Sequence, residues 1–266
     1  MKRSGLIVFS CLVLLGTPAI AQVTNLDFNE ETDKKDWSFS FTPYALLAAQ
    51  STDVGGEKIR QSFNDLSSIT NAGFQFVSTV RYKRFSFSVD GTFATLGIEE
   101  ESGPVSIEVG IKQNIIDLRG GYTFYSTFQS EETDIAKGWS IEGTLGGKNW
   151  VNNLVIDLNI DLGPIGSIQE RIREPLSWWD MMVGVRTNIL VSPKVLLGAS
   201  FSVGGFGIGD SSKFTHDLTY INAFRVWRYM TINAGFRSFK YKRIDNGLET
   251  KVNVLGPLLG VSFILN

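Results

Sequence analysis

Long runs in which apolar and polar side chains alternate at every residue constrain this chain more than any other feature. In 85–93, Phe85, Phe87, Val89 and Phe93 share one parity, and Ser86, Ser88, Asp90 and Thr92 share the other. Successive side chains of a strand point to opposite faces, so this segment is a strand with one apolar and one polar side. The pattern returns with Ile116, Leu118, Tyr122 and Phe124 against Asp117, Arg119 and Thr123. It returns again with Val183, Val185, Ile189 and Val191 against Gly184, Arg186 and Asn188. Val195 to Val203, Phe214 to Val226 and Met230 to Phe236 repeat it. A chain written this way folds as an all-β protein.

Alternation does not say which face is wet, because a soluble sandwich also alternates. Three features favour a membrane barrel. The strands run about 10 to 14 residues, longer than the roughly 5–6 usual in globular sheets. Aromatic residues gather near strand ends, at Trp37, Tyr82, Trp139, Trp150, Trp178, Trp179, Trp227, Tyr229 and Tyr241, as in the girdles of outer-membrane barrels. Connections alternate in length. Those at 82–84, 192–194 and 226–228 are tight, whereas 50–71, 98–104, 205–213 and 243–249 are longer and rich in Gly, Asp, Glu and Asn.

The segments 37–49, 72–82, 84–97, 105–126, 136–150, 176–191, 194–204, 214–226, 229–242 and 249–265 predict an antiparallel, up-and-down transmembrane β-barrel. Ten strands are expected, within a range of eight to twelve. Apolar parity shifts at Gly146-Gly147 and again at Gly256-Pro257. The first is either a turn, which would add a strand and break the even count, or a bulge within one long bent strand followed by an outer loop at 163–174, which preserves it; the second reads as a bulge.

Residues 1–21 read as a cleaved export signal. Lys2 and Arg3 precede the apolar stretch Leu6 to Leu15, and Ala19-Ile20-Ala21 supplies a small-x-small cleavage site. Acylation at Cys11 would leave too short an apolar core before it. Residues 22–36 form a flexible polar lead-in, and 37–266 the barrel domain. Cleavage after Ala21 leaves 23 Lys+Arg against 27 Asp+Glu and removes the single cysteine, so disulfides cannot hold the fold. The expected location is the outer membrane of a Gram-negative bacterium. The expected partners are outer-membrane lipid and the outer-membrane insertion machinery, with a small solute as a candidate. The chain lacks the basic excess that nucleic acid would require, and no cofactor is expected.

Several local patterns, in order, resemble an uncharacterised family of Gram-negative outer-membrane β-barrel proteins. They are Thr42-Pro43-Tyr44, Ser62-Phe63-Asn64-Asp65-Leu66, Trp178-Trp179-Asp180 with Gly184-Val185-Arg186, and Gly204-Gly205-Phe206-Gly207-Ile208-Gly209-Asp210. Gly235-Phe236-Arg237 and Gly256 to Phe263 complete the series. The resemblance implies the architecture and the location, and it carries no activity.

Asp90, Asp117, Arg119, Glu142, Arg186, Asp217, Arg225 and Arg237 lie on the polar face and are expected to line the lumen. Opposite charges across a narrow lumen either pair and plug it or leave a small pore whose arginines attract anions. Residues 61–69 carry Phe63, Leu66 and Ile69 at helical spacing, a candidate constriction at the barrel mouth. Glu99-Glu100-Glu101 and Glu131-Glu132 with Asp134 read as solvated loop charge, and no metal site is expected. His216 is the only histidine, with Ser211 and Ser212 nearby. A lipid acyl hydrolase would need one of these serines within hydrogen-bond reach of that ring. The expectation is a non-enzymatic barrel, structural or a narrow passive pore. The alternatives are a soluble lipocalin-like or sandwich binder of an apolar ligand, and the hydrolase.

Overall fold

The computed structural model describes residues 36–102, 105–127, 138–161, 167–245 and 247–265. The export signal, most of the lead-in and the acidic run at 131–134 lie outside them. The chain forms β1 (Trp37–Leu46), β2 (Ala49–Val54), β3 (Glu57–Gln61), α1 (Phe63–Ile69), β4 (Thr70–Tyr82) and β5 (Phe85–Ser102). It continues through β6 (Val105–Ser126), β7 (Gly138–Asp161), β8 (Ser167–Ser192), β9 (Val195–Gly204), β10 (Phe214–Trp227), β11 (Met230–Asp245) and β12 (Leu248–Leu265).

Ten of these strands make an antiparallel sheet in the order β10-β11-β12-β1-β4-β5-β6-β7-β8-β9. β9 and β10, consecutive in the chain, lie side by side and close the sheet into an up-and-down barrel. The remaining strands extend one wall. β2 continues β1 along β12, with Leu255 opposite Ala49 and Thr250 opposite Val54, and β3 folds back onto β2 as a hairpin.

The barrel has two unlike ends. At one end sit Trp37, the Lys83-Arg84 turn, the Pro193-Lys194 turn, the Arg228-Tyr229 turn and Leu265. At the other end, β6, β7 and β8 run far past their neighbours at 22, 24 and 26 residues. Most of what the sequence marks as outer loop is strand there. Residues 98–102, 167–174 and 243–245 all belong to ladders, and 50–71 holds the β2–β3 hairpin and α1. A longer connection also sits at the tight-turn end, where β6 leaves at Ser126 and β7 begins at Gly138.

The two expected bulges are absent. β7 pairs β6 and β8 without a register shift around Gly146-Gly147, and β11 pairs β12 without one around Gly256-Pro257. The irregularities lie instead near strand ends, at Thr70/Ala72, Thr123/Tyr125, Leu190/Ser192 and Arg225/Trp227. Parity never slips through the middle of these strands. What changes along them is the chemistry of the inner face.

The outer face is apolar around the circumference. Phe85, Phe87, Leu145, Val183, Val185, Ile189, Phe201, Leu218, Phe224, Ile232, Phe236, Leu259 and Phe263 are all exposed there. Trp37, Tyr82, Tyr125, Trp139, Trp227 and Tyr229 ring the tight-turn end. Trp37 packs at a tilt against Tyr82, and Tyr125 against Trp139, with ring centroids 4.5 and 4.7 Å apart. Trp150, Trp178 and Tyr241, expected in the girdles, point inward and are buried.

Candidate functional site

The inner face is built in layers. Nearest the tight turns, Leu190, Leu196 and Ala223 are buried together with Ile221 against them. Close to this layer, Glu142 accepts hydrogen bonds from Arg81 and Arg186, both at 2.8 Å, and from Ser86 Oγ at 2.9 Å. Arg81 also donates to Thr123 Oγ1. Two guanidiniums share one carboxylate, which leaves this layer cationic. Gly121 is required beside it, because a Cβ there would overlap the Glu142 carboxylate and Ser86 Oγ.

The middle layer joins six charged side chains from five strands. Arg237 on β11 reaches Asp217 on β10 at 2.8 Å and Asp90 on β5 at 2.7 Å. It also donates to the Tyr44 hydroxyl at 2.6 Å, and Tyr44 in turn donates to Asp90 at 2.8 Å. Lys148 on β7 meets Asp217 at 2.5 Å and Asp117 on β6 at 3.2 Å. Arg119 holds Asp117 through two hydrogen bonds, with its Nε at 2.7 Å, and lies 3.6 Å from Asp217. Three cations balance three carboxylates, each with several partners, which is what allows charge to be buried at all. A cavity of about 110 Å³ opens between this layer and the cationic one, and Tyr44, Asp90, Arg119, Arg186, Asp217 and Arg237 are among its lining.

Above the charges the inner face turns apolar. Ile115, Trp150, Trp178, Phe239, Tyr241, Val252 and Val254 pack as one cluster across the lumen. Trp150 and Trp178 stack with centroids 5.9 Å apart, and Tyr241 lies 4.8 Å from Trp150. Lys148 Nζ sits over the Trp150 and Phe239 rings at 5.4 and 5.8 Å, joining the two layers by cation–π contact.

Asp180, fully buried, fastens the outermost layer. Its carboxylate accepts from Trp150 Nε1 at 2.9 Å, Thr215 Oγ1 at 2.6 Å and the Ser212 amide at 2.7 Å. Trp178 Nε1 donates to Ser212 Oγ at 3.0 Å. These bonds hold the 205–213 connection down on the apolar plug. Gly205, at φ 85°, turns so tightly against Ser212 that a side chain there would strike its carbonyl.

The structure places Asp90, Asp117, Arg119, Glu142, Arg186, Asp217, Arg225 and Arg237 on the inner face. Seven of them join the two charged layers, while Arg225 stands nearer the tight turns, sharing its parity with buried Ala223. Sequence reasoning misses Arg81, Lys148, Tyr44 and Asp180. Arg81 shares parity with Thr79, and Lys148 with Glu142 and Thr144, so the signal is present. For Lys148 the supposed bulge hides it.

The constriction is not where 61–69 suggested. α1 does form there, but Phe63 is 41% exposed, no residue of the helix is buried, and Phe63, Leu66 and Ile69 do not line the interior cavity. A seven-residue helix of mostly polar side chains has too little apolar surface to hold a place inside the barrel. The lumen is filled by side chains of the wall itself. The hydrolase arrangement is also absent. His216 shares the outward parity of Leu218 and Tyr220 and lies against Phe214, whereas Ser212 is buried inside, hydrogen-bonded to Trp178.

No family model matches the chain, and no curated protein matches it. Among solved structures it is similar to the outer membrane protease OmpT from Escherichia coli, at 7% identity over 87% of this chain and 98% of that one, with a TM-score of 0.47. It is similar to Ail, the attachment invasion locus protein of Yersinia pestis, at 11% identity over 87% and 99%, with a TM-score of 0.35. Neisserial surface protein A shares 12% identity over 86% and 97%, with a TM-score of 0.31.

Proposed function

We propose that this protein is an outer-membrane β-barrel with a sealed lumen, a structural membrane protein rather than an enzyme or an open pore. The observation that carries the reading is the inversion of the wall, with an apolar outer face around a charged and plugged interior. A continuous apolar belt of this extent is untenable in water, where patches beyond a few hundred Å² mark interaction surfaces. On β12 the belt runs from Leu255 to Leu265, which fits the ~9–11 residues of a tilted membrane-spanning strand. The aromatic ring at the tight-turn end marks one interface, and the short turns mark the periplasmic side.

Within that belt the cations of the two charged layers, Arg81, Lys148, Arg119, Arg186 and Arg237, each have a carboxylate in reach or share one. The lumen is closed twice, by the six-charge network and by the tryptophan cluster. Partners under this reading are outer-membrane lipid and the insertion machinery, with export by a cleaved signal.

The test has two arms. The purified chain should require detergent to stay monodisperse and should fractionate with outer membranes. Reconstituted in planar bilayers, it should give no ion current above the lipid background. A chain monodisperse in plain buffer overturns the membrane reading, and a steady current from the wild type overturns the sealed lumen.

A further inference from the structure

The outer face carries a basic patch just above the apolar belt, on β11, β12 and the β2–β3 hairpin. Lys242 is directly opposite Lys251, and Lys240 is directly opposite Asn253. The ladder continues through Asp53 to Lys58, and through Ser51 to Arg60. Residues opposite one another in a ladder share a face, and these share the parity of exposed Phe236, Leu255 and Leu259. Five cations thus stand together with two carboxylates, Asp53 and Glu249, on a chain whose total charge is −2. Lys242 and Lys251 share Glu249, each at 2.5 Å. Lys240, Lys58 and Arg60 have no ion-pair partner among the described residues.

The spacing suits one anion. Opposed side chains start about 5 Å apart and next-but-one neighbours about 7 Å apart, so the three lysine stems rise from a small triangle that one phosphate can bridge. The wall beneath the triangle turns apolar, with Leu255 beside Ser238 in the next row and Phe236 and Pro257 in the row after. Charge at the rim and hydrocarbon below complement a molecule with the same polarity, a phosphate head on acyl chains.

We propose that Lys240, Lys242 and Lys251 bind the phosphate of a phosphorylated lipid in the leaflet at the barrel's outer end, with its acyl chains on the Phe236–Leu255–Leu259 wall. Lys58 and Arg60 on the hairpin extend the charge toward the rest of the headgroup. The assignment rests on the membrane reading above. Glu249 competes for two of the lysines, so it sets the affinity.

Native mass spectrometry of the detergent-solubilised full chain tests this, with phosphatidic acid as the phosphomonoester probe and phosphatidylcholine as the neutral comparison. The wild type should retain phosphatidic acid selectively. The Lys240→Gln, Lys242→Gln, Lys251→Gln triple variant should bind it about a hundredfold more weakly, from the usual worth of three basic residues at a lipid surface. Glu249→Gln should bind it more tightly. The charge-matched control Lys83→Gln, Arg84→Gln, Lys194→Gln, at the opposite end, should bind like the wild type. Equal retention of phosphatidic acid by the two triple variants overturns the proposal, as does displacement of the lipid by millimolar inorganic phosphate. Insertion into pure phosphatidylcholine vesicles, measured on the same preparations, separates the two readings. A wild type that inserts there without selecting phosphatidic acid retains the membrane reading and loses this one, and a wild type that stays soluble loses both.

Discussion

At the scale of single residues, Asp217 is the most heavily committed side chain in the barrel. It answers Arg237, Lys148 and Arg119 together and accepts from Thr219 at 3.5 Å. Asp217→Asn strands part of that positive charge in a dry layer, and removing one partner of a buried ion network costs about 3–5 kcal/mol. Urea unfolding in detergent micelles should show a loss of that size. Asp36→Asn, which breaks the exposed Lys83–Asp36 pair at 3.3 Å, should leave the midpoint unchanged. Trp150→Ala removes a fully buried ring from the apolar layer and the donor to Asp180, and a loss of about 3–5 kcal/mol is expected by the same measurement. Arg119 and Asp117 were legible as inward residues because they alternate with apolar Ile116 and Leu118. Their partner Lys148 was not, since the apolar parity of its strand shifts at Gly146-Gly147, just before it.

At the scale of elements, both misread bulges have one cause. Period-two reasoning assumes that the inner face stays polar along a whole strand. Here Trp150 follows Lys148, and Tyr241 and Phe239 follow Arg237, all on the same inward parity. An apolar residue on the polar parity looks like a shift of register, yet it marks the height at which the lumen stops being charged. The strand pattern itself was readable, down to the count of ten, because outward Phe, Val and Leu recur on one parity along the middle of the strands. The outer extensions were not, because Glu, Asn and Gly there look like loop residues while the backbone ladder carries on. α1 offers an element-scale test. Its Ser62–Asp65 capping box gives the Asp65 carboxylate two hydrogen bonds from Ser62 and lowers its pKa from the ordinary value. A carboxylate so lowered supports the helix above its unfolded-state pKa, and the support is lost as pH falls through the lowered value. NMR should show α1 fraying in that acid window, and Ser62→Ala should move the Asp65 titration upward while weakening the helix at neutral pH.

At the scale of the whole molecule, a lumen sealed by more than one layer, as proposed above, should not open to a single substitution. Trp150→Ala alone is expected to stay silent in a planar bilayer. Conductance should appear only when Trp150 and Arg237 are both reduced to alanine, which opens the aromatic and charged layers together. The strands that outrun the belt also matter at this scale. On the membrane reading, β7 and β8 exceed what a span needs by roughly a dozen residues, which at ordinary strand rise and tilt would lift that wall about 30 Å beyond the bilayer surface. The pairing of β1 with β12 has a consequence in time rather than in space. Thr42 and Ser262, hydrogen-bonded at 2.6 Å, are 220 residues apart in sequence, and Tyr44 meets Arg237 across 193. Closing so long a chain loop is entropically slow, and nothing local rewards it beforehand. Hairpins from β4 to β11 can form early, while β1 waits beside β4 with its other edge bare until β12 arrives. Closure is then the late step of assembly, and the open edges of β1 and β12 are where a stalled intermediate would recruit a second copy of itself.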